Sequence, residues 1–394
     1  MASKLYLPGA SFGGRAAFGN LMTLVGSELP RLGGTNQAGD LVSKTIDGFD
    51  LNTLWNEFQD TIELQNAERT KIVQLLTFPV TSLIERVAQV SSARFEVASE
   101  YGEPRGIRPA TGYFNLGYDF EWYDLAARFT WKFLAEAPAA QVKAINAMVL
   151  EADNVLIYEK VMQALFGGNV NREANISDQI VPVYGLYNGD GVVPPKYKSA
   201  TFTGTHTHYM TSGAASIVPS DLDDLYENVT EHGYTRSNGY SFVVIATTRE
   251  VKAIRGFRID AGATYDFIPA RGDFAQLLPG DQQLIGEQPA NTWKGLNVAG
   301  AYGPMLIVEE DSFPAGYVVG LATGGPENLG NPVGFRQHEN SSLRGLRLVK
   351  GASNDYPLID SFYNRGFGTG IRQRGGAAIM QITASGTYTA PTAY

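Results

Sequence analysis

No cysteine occurs among the 394 residues, so disulfides and thiolate chemistry are excluded and robustness has to come from packing or association. No apolar run reaches the roughly 20 residues that a membrane-spanning helix needs. The first nine residues, Met1 to Gly9, carry one charge and no apolar core, so no secretory signal peptide is expected. Basic residues are in deficit: 31 Lys and Arg against 40 Asp and Glu leave a formal net charge of −9. That balance argues against a basic surface that grips duplex nucleic acid through its phosphates. Nucleotide-binding and nucleophile motifs are missing as well. There is no Walker-type sequence and no Gly-x-Ser-x-Gly elbow, and Gly366-Phe367-Gly368-Thr369-Gly370 lacks the spacing and following helix of a dinucleotide fingerprint. Asn188-Gly189-Asp190-Gly191 reads as a turn, since it lacks the ligand series of a calcium loop.

What is present is an ordinary globular share of apolar residues, 44%, with 44 glycines spread along the chain. The most organised stretch runs from Arg94 to Phe166. Phe95, Val97 and Tyr101 alternate with polar neighbours. After a breaker-rich tip, Gly102 to Gly112, a return strand places Phe114, Leu116, Tyr118, Phe120 and Trp122 on one face. An isolated two-stranded ribbon is marginal in water, so this aromatic face is expected to find cover on a neighbouring copy of the chain. A helix over 138–166 follows, with Pro138 at its start and Gly167-Gly168 at its end. Its apolar stripe is read as Val142, Ile145, Val149, Ala152, Leu156 and Phe166, widened by Met148, Val155, Met162 and Leu165.

The flanks are read more coarsely. Residues 1–46 show no sustained period, and a helix starts at Asp50 with Leu51, Leu54, Trp55, Phe58 and Ile62 on one face. Pro79 is expected to interrupt the chain beyond that helix, and 125–137 fits strand or helix equally. A capping box at Ser220 and Asp223 opens a helix carrying Leu222, Leu225, Tyr226 and Val229. Strands are predicted at Ser241–Thr247, Met305–Val308 and Tyr317–Leu321, and a short helix at Arg249–Arg255. Asp355 and Pro357 suggest a last helix start, and Gly375-Gly376 is read as joining Thr369–Arg374 to Ala377–Thr383 in a closing hairpin.

Candidate chemistry is sparse. His206 and His208 sit two apart on a predicted strand and share a face, but a metal site needs a third ligand, and nothing in the sequence fixes the distance to His232 or His338. Exposed strand histidines are the expectation. Glu309, Glu310 and Asp311 are read as a solvated strand end, because adjacent strand residues point to opposite faces. No catalytic, cofactor-binding or metal site is therefore assigned. A metal-dependent hydrolase using His206 and His208 stands as an alternative of another class, and a solitary β-rich binding protein as a third.

The order of these parts resembles the major capsid protein of tailed bacteriophages, the Hong Kong 97-type fold. The likeness is carried by the helix Gln141–Phe166, the turn Leu186-Tyr187-Asn188-Gly189-Asp190-Gly191, and the ending Tyr356-Pro357-Leu358-Ile359-Asp360-Ser361 through Arg365-Gly366-Phe367-Gly368-Thr369-Gly370-Ile371-Arg372. It implies an α+β fold with an N-terminal arm (1–50), a helical segment (51–90), an extended β-hairpin E-loop (91–124), a P-domain with its spine helix (125–213 and 346–394), and an α/β A-domain (214–345). It also implies a virion shell of hexamers and pentamers, assembled in the host bacterial cytoplasm around double-stranded DNA without sequence-specific binding. Implied partners are a scaffolding protein and a portal, with a decoration protein as an optional addition, and no cofactor or membrane. Inter-subunit contact would fall to Phe95, Val97, Tyr101, Arg105, Arg108, Phe114, Leu116, Tyr118, Phe120 and Trp122. An encapsulin-type compartment, similar in fold, is the nearest alternative. Two departures stand out. No lysine lies between 94 and 123, so cross-linking through an E-loop lysine is not expected. Only about 50 residues precede the first predicted helix, which favours a separate scaffold over a fused one.

Overall fold

The computed structural model describes residues 42–67, 70–88, 97, 100, 102, 113–168, 172–176, 179–271, 288–350, 361–384 and 386–394. Helix α1 (Leu51–Ala67) buries Leu54, Trp55, Phe58 and Ile62, the face its spacing predicts. Helix α2 (Lys71–Leu76) runs directly into strand β1 (Thr77–Val80). Pro79 is accommodated there because β1 is an edge strand, paired on one side only. Strands β2 (Ile84–Ala88) and β3 (Tyr113–Gly117) form an antiparallel ribbon, and β4 (Glu121–Ala126) follows. The ambiguous stretch after it resolves into both states. The strand ends at Ala126, and helix α3 (Trp131–Glu136) starts where the Thr130 hydroxyl accepts the Phe133 N–H at 3.1 Å.

The spine is α4 (Ala139–Phe166), 28 residues and so about 42 Å long. Asp47 caps it, both carboxylate oxygens accepting the Ala139 N–H at 3.1 Å. Its buried face differs from the apolar stripe read from sequence. Asn146 and Asp153 are buried, whereas Met148 and Val155 are 71% and 44% exposed and Ala152 also faces outward. The reason lies on a distant strand: Asn146 accepts the Tyr363 hydroxyl at 2.7 Å, and Asp153 pairs with Arg365. Polar groups satisfied in this way can occupy a core position that apolar periodicity alone would leave out.

Beyond the spine come β5 (Arg172–Ile176), β6 (Gln179–Val183), β7 (Tyr209–Thr211) and α5 (Pro219–Thr230). The expected capping residue of α5 is corrected. The helix starts at Pro219, and Asp221 takes the Val218 N–H at 2.8 Å, while Asp223 accepts the Thr264 hydroxyl at 2.6 Å. There follow β8 (Ser241–Ala246), α6 (Thr248–Ile254), β9 (Phe267–Pro269), β10 (Thr292–Trp293), β11 (Leu296–Tyr302), β12 (Met305–Glu309) and β13 (Tyr317–Thr323). The chain closes with β14 (Val333–Gln337), β15 (Leu346–Val349), β16 (Phe362–Ile371) and β17 (Ala377–Gln381).

Among the described residues two larger sheets organise the molecule. One has five strands in the order β1-β14-β16-β15, with β4 also on β16; the other has eight, in the order β10-β11-β12-β8-β13-β17-β7, with β9 on β11. The expected closing hairpin is overturned here. β16 and β17 lie in different sheets, β17 sitting between β13 and β7, so Gly375-Gly376 is a crossing between sheets. The sheets also straddle the expected domain limits at 213/214 and 345/346, because β7 and β17 join β8, β12 and β13 while β14 joins β16. The helix start at Asp355 and Pro357 lies outside the described residues. One apolar core joins the end of α4 to both sheets, including Phe166, Leu186, Val319, Phe335 and Ile379. A second lies under α5 and α6, and a third between α1 and the first half of the spine.

Candidate functional site

The ribbon is the first candidate surface. β2 and β3 pair from Ile84↔Gly117 to Ala88↔Tyr113, so the outgoing arm begins well before the stretch from Arg94 where alternation drew it. Phe95, Tyr101, Arg105 and Arg108 fall outside the described residues, while Val97 is 97% exposed. The return strand does not keep its five large apolar residues on one open face. It breaks after Gly117, where the Tyr118 N–H bonds the Leu83 carbonyl at 3.0 Å and the Asp119 N–H bonds the Thr369 carbonyl at 3.2 Å.

This break sorts the predicted contact residues. Tyr118 is fully buried by its own chain, its ring against Gly334 and Gly370, its hydroxyl 3.0 Å from the Glu85 carboxylate and its carbonyl accepting from Arg336 at 3.2 Å. Leu116 is buried too, so for these two the cover expected from a neighbour is supplied internally. Phe114 is half-buried with its ring 4.7 Å from Tyr184, and Phe120 is half-buried with the Arg336 guanidinium 5.1 Å from its ring. Trp122 remains 45% exposed on β4, along with Leu125. Trp131 on α3 and Met148 and Val155 on the spine add further exposed apolar surface. Isolated exposures of this kind are ordinary, but a half-open tryptophan on an edge strand is a surface that invites pairing.

The second candidate is a histidine cluster that the sequence left open. His206 and His208 lie just before β7, which starts at Tyr209, and not on the predicted strand; their rings still meet, and His232, just beyond α5, joins them. The Nε2 atoms lie 3.2 Å (206–208), 2.9 Å (206–232) and 3.0 Å (208–232) apart. The expectation of exposed histidines is corrected, since His208 is fully buried and His206 and His232 are partly so. The missing third ligand was invisible because a helix of twelve residues separates the two ends of the cluster. Burial, reinforced by the neighbouring imidazoles, holds His208 well below its ordinary pKa and pushes His232 down to about 3; burial alone lowers His206.

No family model matches the sequence, and no curated protein matches it. A solved structure from Mycobacterium phage Patience is 47% identical to it, covering 92% of this chain and 96% of that one, with a TM-score of 0.70. More remote solved structures include the capsid of an empty GTA particle, 10% identical over 80% of this chain and 97% of that one at TM-score 0.43. Another is the holo-SrpI encapsulin complex of Synechococcus elongatus, 13% identical over 84% of this chain and 97% of that one at TM-score 0.42. The long spine, ribbon and two mixed sheets define an α+β shell-forming chain. It belongs to the family of major capsid proteins of tailed bacteriophages, with the Hong Kong 97-type fold.

Proposed function

We propose that copies of this major capsid protein form the hexamers and pentamers of an icosahedral shell around double-stranded DNA. The observation that carries the reading is the 47% identity to the phage chain, sustained over 92% of this one. Physical features support it. The tip segment 102–112, Phe120 and Trp122 are the parts that a neighbouring subunit would cover, whereas Leu116 and Tyr118 anchor the ribbon's base to its own subunit. Phe95, Val97, Tyr101, Arg105, Arg108 and the half-buried Phe114 remain contact residues on the same proposal. Many modest contacts act together once the shell closes, because each becomes effectively intramolecular. The net charge of −9 suits a container that repels packaged DNA and leaves it free to exit.

A separate scaffolding protein, a portal and assembly in the host cytoplasm belong to the same proposal, as does the option of a decoration protein. The protein's role is structural. The test is the content of native particles. Packaged double-stranded DNA at genome length is the expected result, and a shell filled with an enzyme instead would favour the encapsulin-type alternative.

A further inference from the structure

Among the described residues, His206, His208 and His232 are the one group of three that brings metal-ligating atoms together. Their protonation has a geometric difficulty. His208 Nδ1 lies 2.7 Å from the Ala377 carbonyl, which can only accept, so Nδ1 holds a proton, and whenever this ring is neutral its Nε2 is a bare lone pair. Each Nε2 in the triangle presents either one proton or one lone pair toward the other two. Whatever the arrangement, at least one of the three edges then sets like against like, two lone pairs or two N–H groups. At separations of 2.9–3.2 Å around the fully buried His208, that repulsion is poorly screened.

A cation removes the conflict, since three lone pairs can converge on one ion. Metal–nitrogen bonds of about 2.0–2.1 Å require ligand separations of roughly 2.9 Å for a facial octahedral set and 3.3–3.4 Å for a tetrahedral one. The observed edges lie between these limits. We infer that His206, His208 and His232 hold a divalent transition-metal ion of the zinc class through their Nε2 atoms, as a structural staple.

The surroundings fit that role. The Ala377 carbonyl orients His208 as a supporting acceptor does for a ligating imidazole. His232 is sandwiched between Phe202 and Tyr187, at ring separations of 4.2 and 5.6 Å and interplanar angles of 17° and 22°. Gly375 lets that ring approach, because a Cβ there would stand 2.8 Å from His232 Cγ. The Glu231 carboxylate lies 3.5 Å from His206 Nε2 and supplies negative charge at the open side. Arg374 opposes a cation, but the Asp190 carboxylate, 2.7 Å from its guanidinium, offsets that charge. Three imidazoles without a thiolate suit zinc, copper or nickel over magnesium or calcium. An ion here would tie the end of α5 to the segment entering β7 and, through Ala377, to β17.

The test uses untagged, full-length assembled protein, stripped with a chelator and titrated with Co2+ and then Zn2+. The expected result is about one equivalent of Co2+ per subunit with visible d–d absorption, displaced by Zn2+, and a raised thermal midpoint. His206→Ala, a substitution at the most exposed of the three, and His232→Ala should each weaken uptake by more than the roughly 10–100-fold of a supporting-group loss. Wild-type uptake below about a tenth of an equivalent would overturn the inference without recourse to any variant. Uptake unchanged in the His206→Ala/His232→Ala double variant would overturn it as adventitious surface binding.

Discussion

Asp153 and Arg365 meet in the interior between the spine and β16, both almost without solvent contact. Arg365 Nη2 donates to the Asp153 carboxylate at 2.6 Å and to Asn66 at 3.1 Å. Burial raises the Asp153 pKa and the Arg365 charge pulls it back. Removing one partner leaves a charge stranded, so Arg365→Leu should cost about 3–5 kcal/mol, whereas the Asp153→Leu/Arg365→Leu pair should cost markedly less. Denaturant unfolding of dissociated subunits carrying Arg365→Leu, Asp153→Leu or both measures this; a double-variant loss equal to the sum of the two single losses would show that the pair is not coupled. This pair, and Asn146 with Tyr363, also mark where sequence reading stops at the residue scale. Periodicity found Val142 and Val149 on the buried face but had no means of placing Asn146 or Asp153 there. Their partners lie more than 200 residues away.

At the scale of elements, the break between β3 and β4 is set by glycines on other strands. A Cβ on Gly334 would lie 2.3 Å from the Tyr118 ring, and one on Gly370 2.8 Å from it. Filling an ordinary glycine position gains about 0.4–1 kcal/mol through the unfolded chain. Here overpacking outweighs that gain, and Gly334→Ala should destabilise by about 1–3 kcal/mol while loosening the base of the ribbon. A thermal midpoint equal to or above that of the wild type would contradict this seat for Tyr118. Helices α1 and α4 and strands β8, β12 and β13 were legible because each carries its own periodicity or a continuous apolar run. The β3–β4 break and the separation of β16 from β17 were not, since both depend on which strand lies alongside. Alternation and a Gly-Gly pair are equally compatible with a hairpin and with a step between sheets. The histidine cluster was half legible: spacing kept His206 and His208 close, while only the path of α5 brings His232 to them.

At the scale of the whole molecule, the surface left open by one copy decides how it assembles. The ribbon's base is secured internally by Leu116 and Tyr118, so shortening the tip should leave the subunit folded. Deleting 102–112 is therefore expected to give soluble chain with particle yield reduced at least about tenfold, because each lost contact is repeated at every subunit boundary. Normal yields of equally stable particles would show the tip to be dispensable. The central claim, that sister subunits shelter what a single chain leaves exposed, is tested most directly by imaging purified particles at side-chain detail. The account predicts closed shells of pentamers and hexamers, with the β2–β3 pair and the segment it bounds in contact with an adjacent copy and Trp122 covered at that boundary. Shells or single subunits in which Trp122 stays open to solvent and the ribbon touches no neighbour would contradict it.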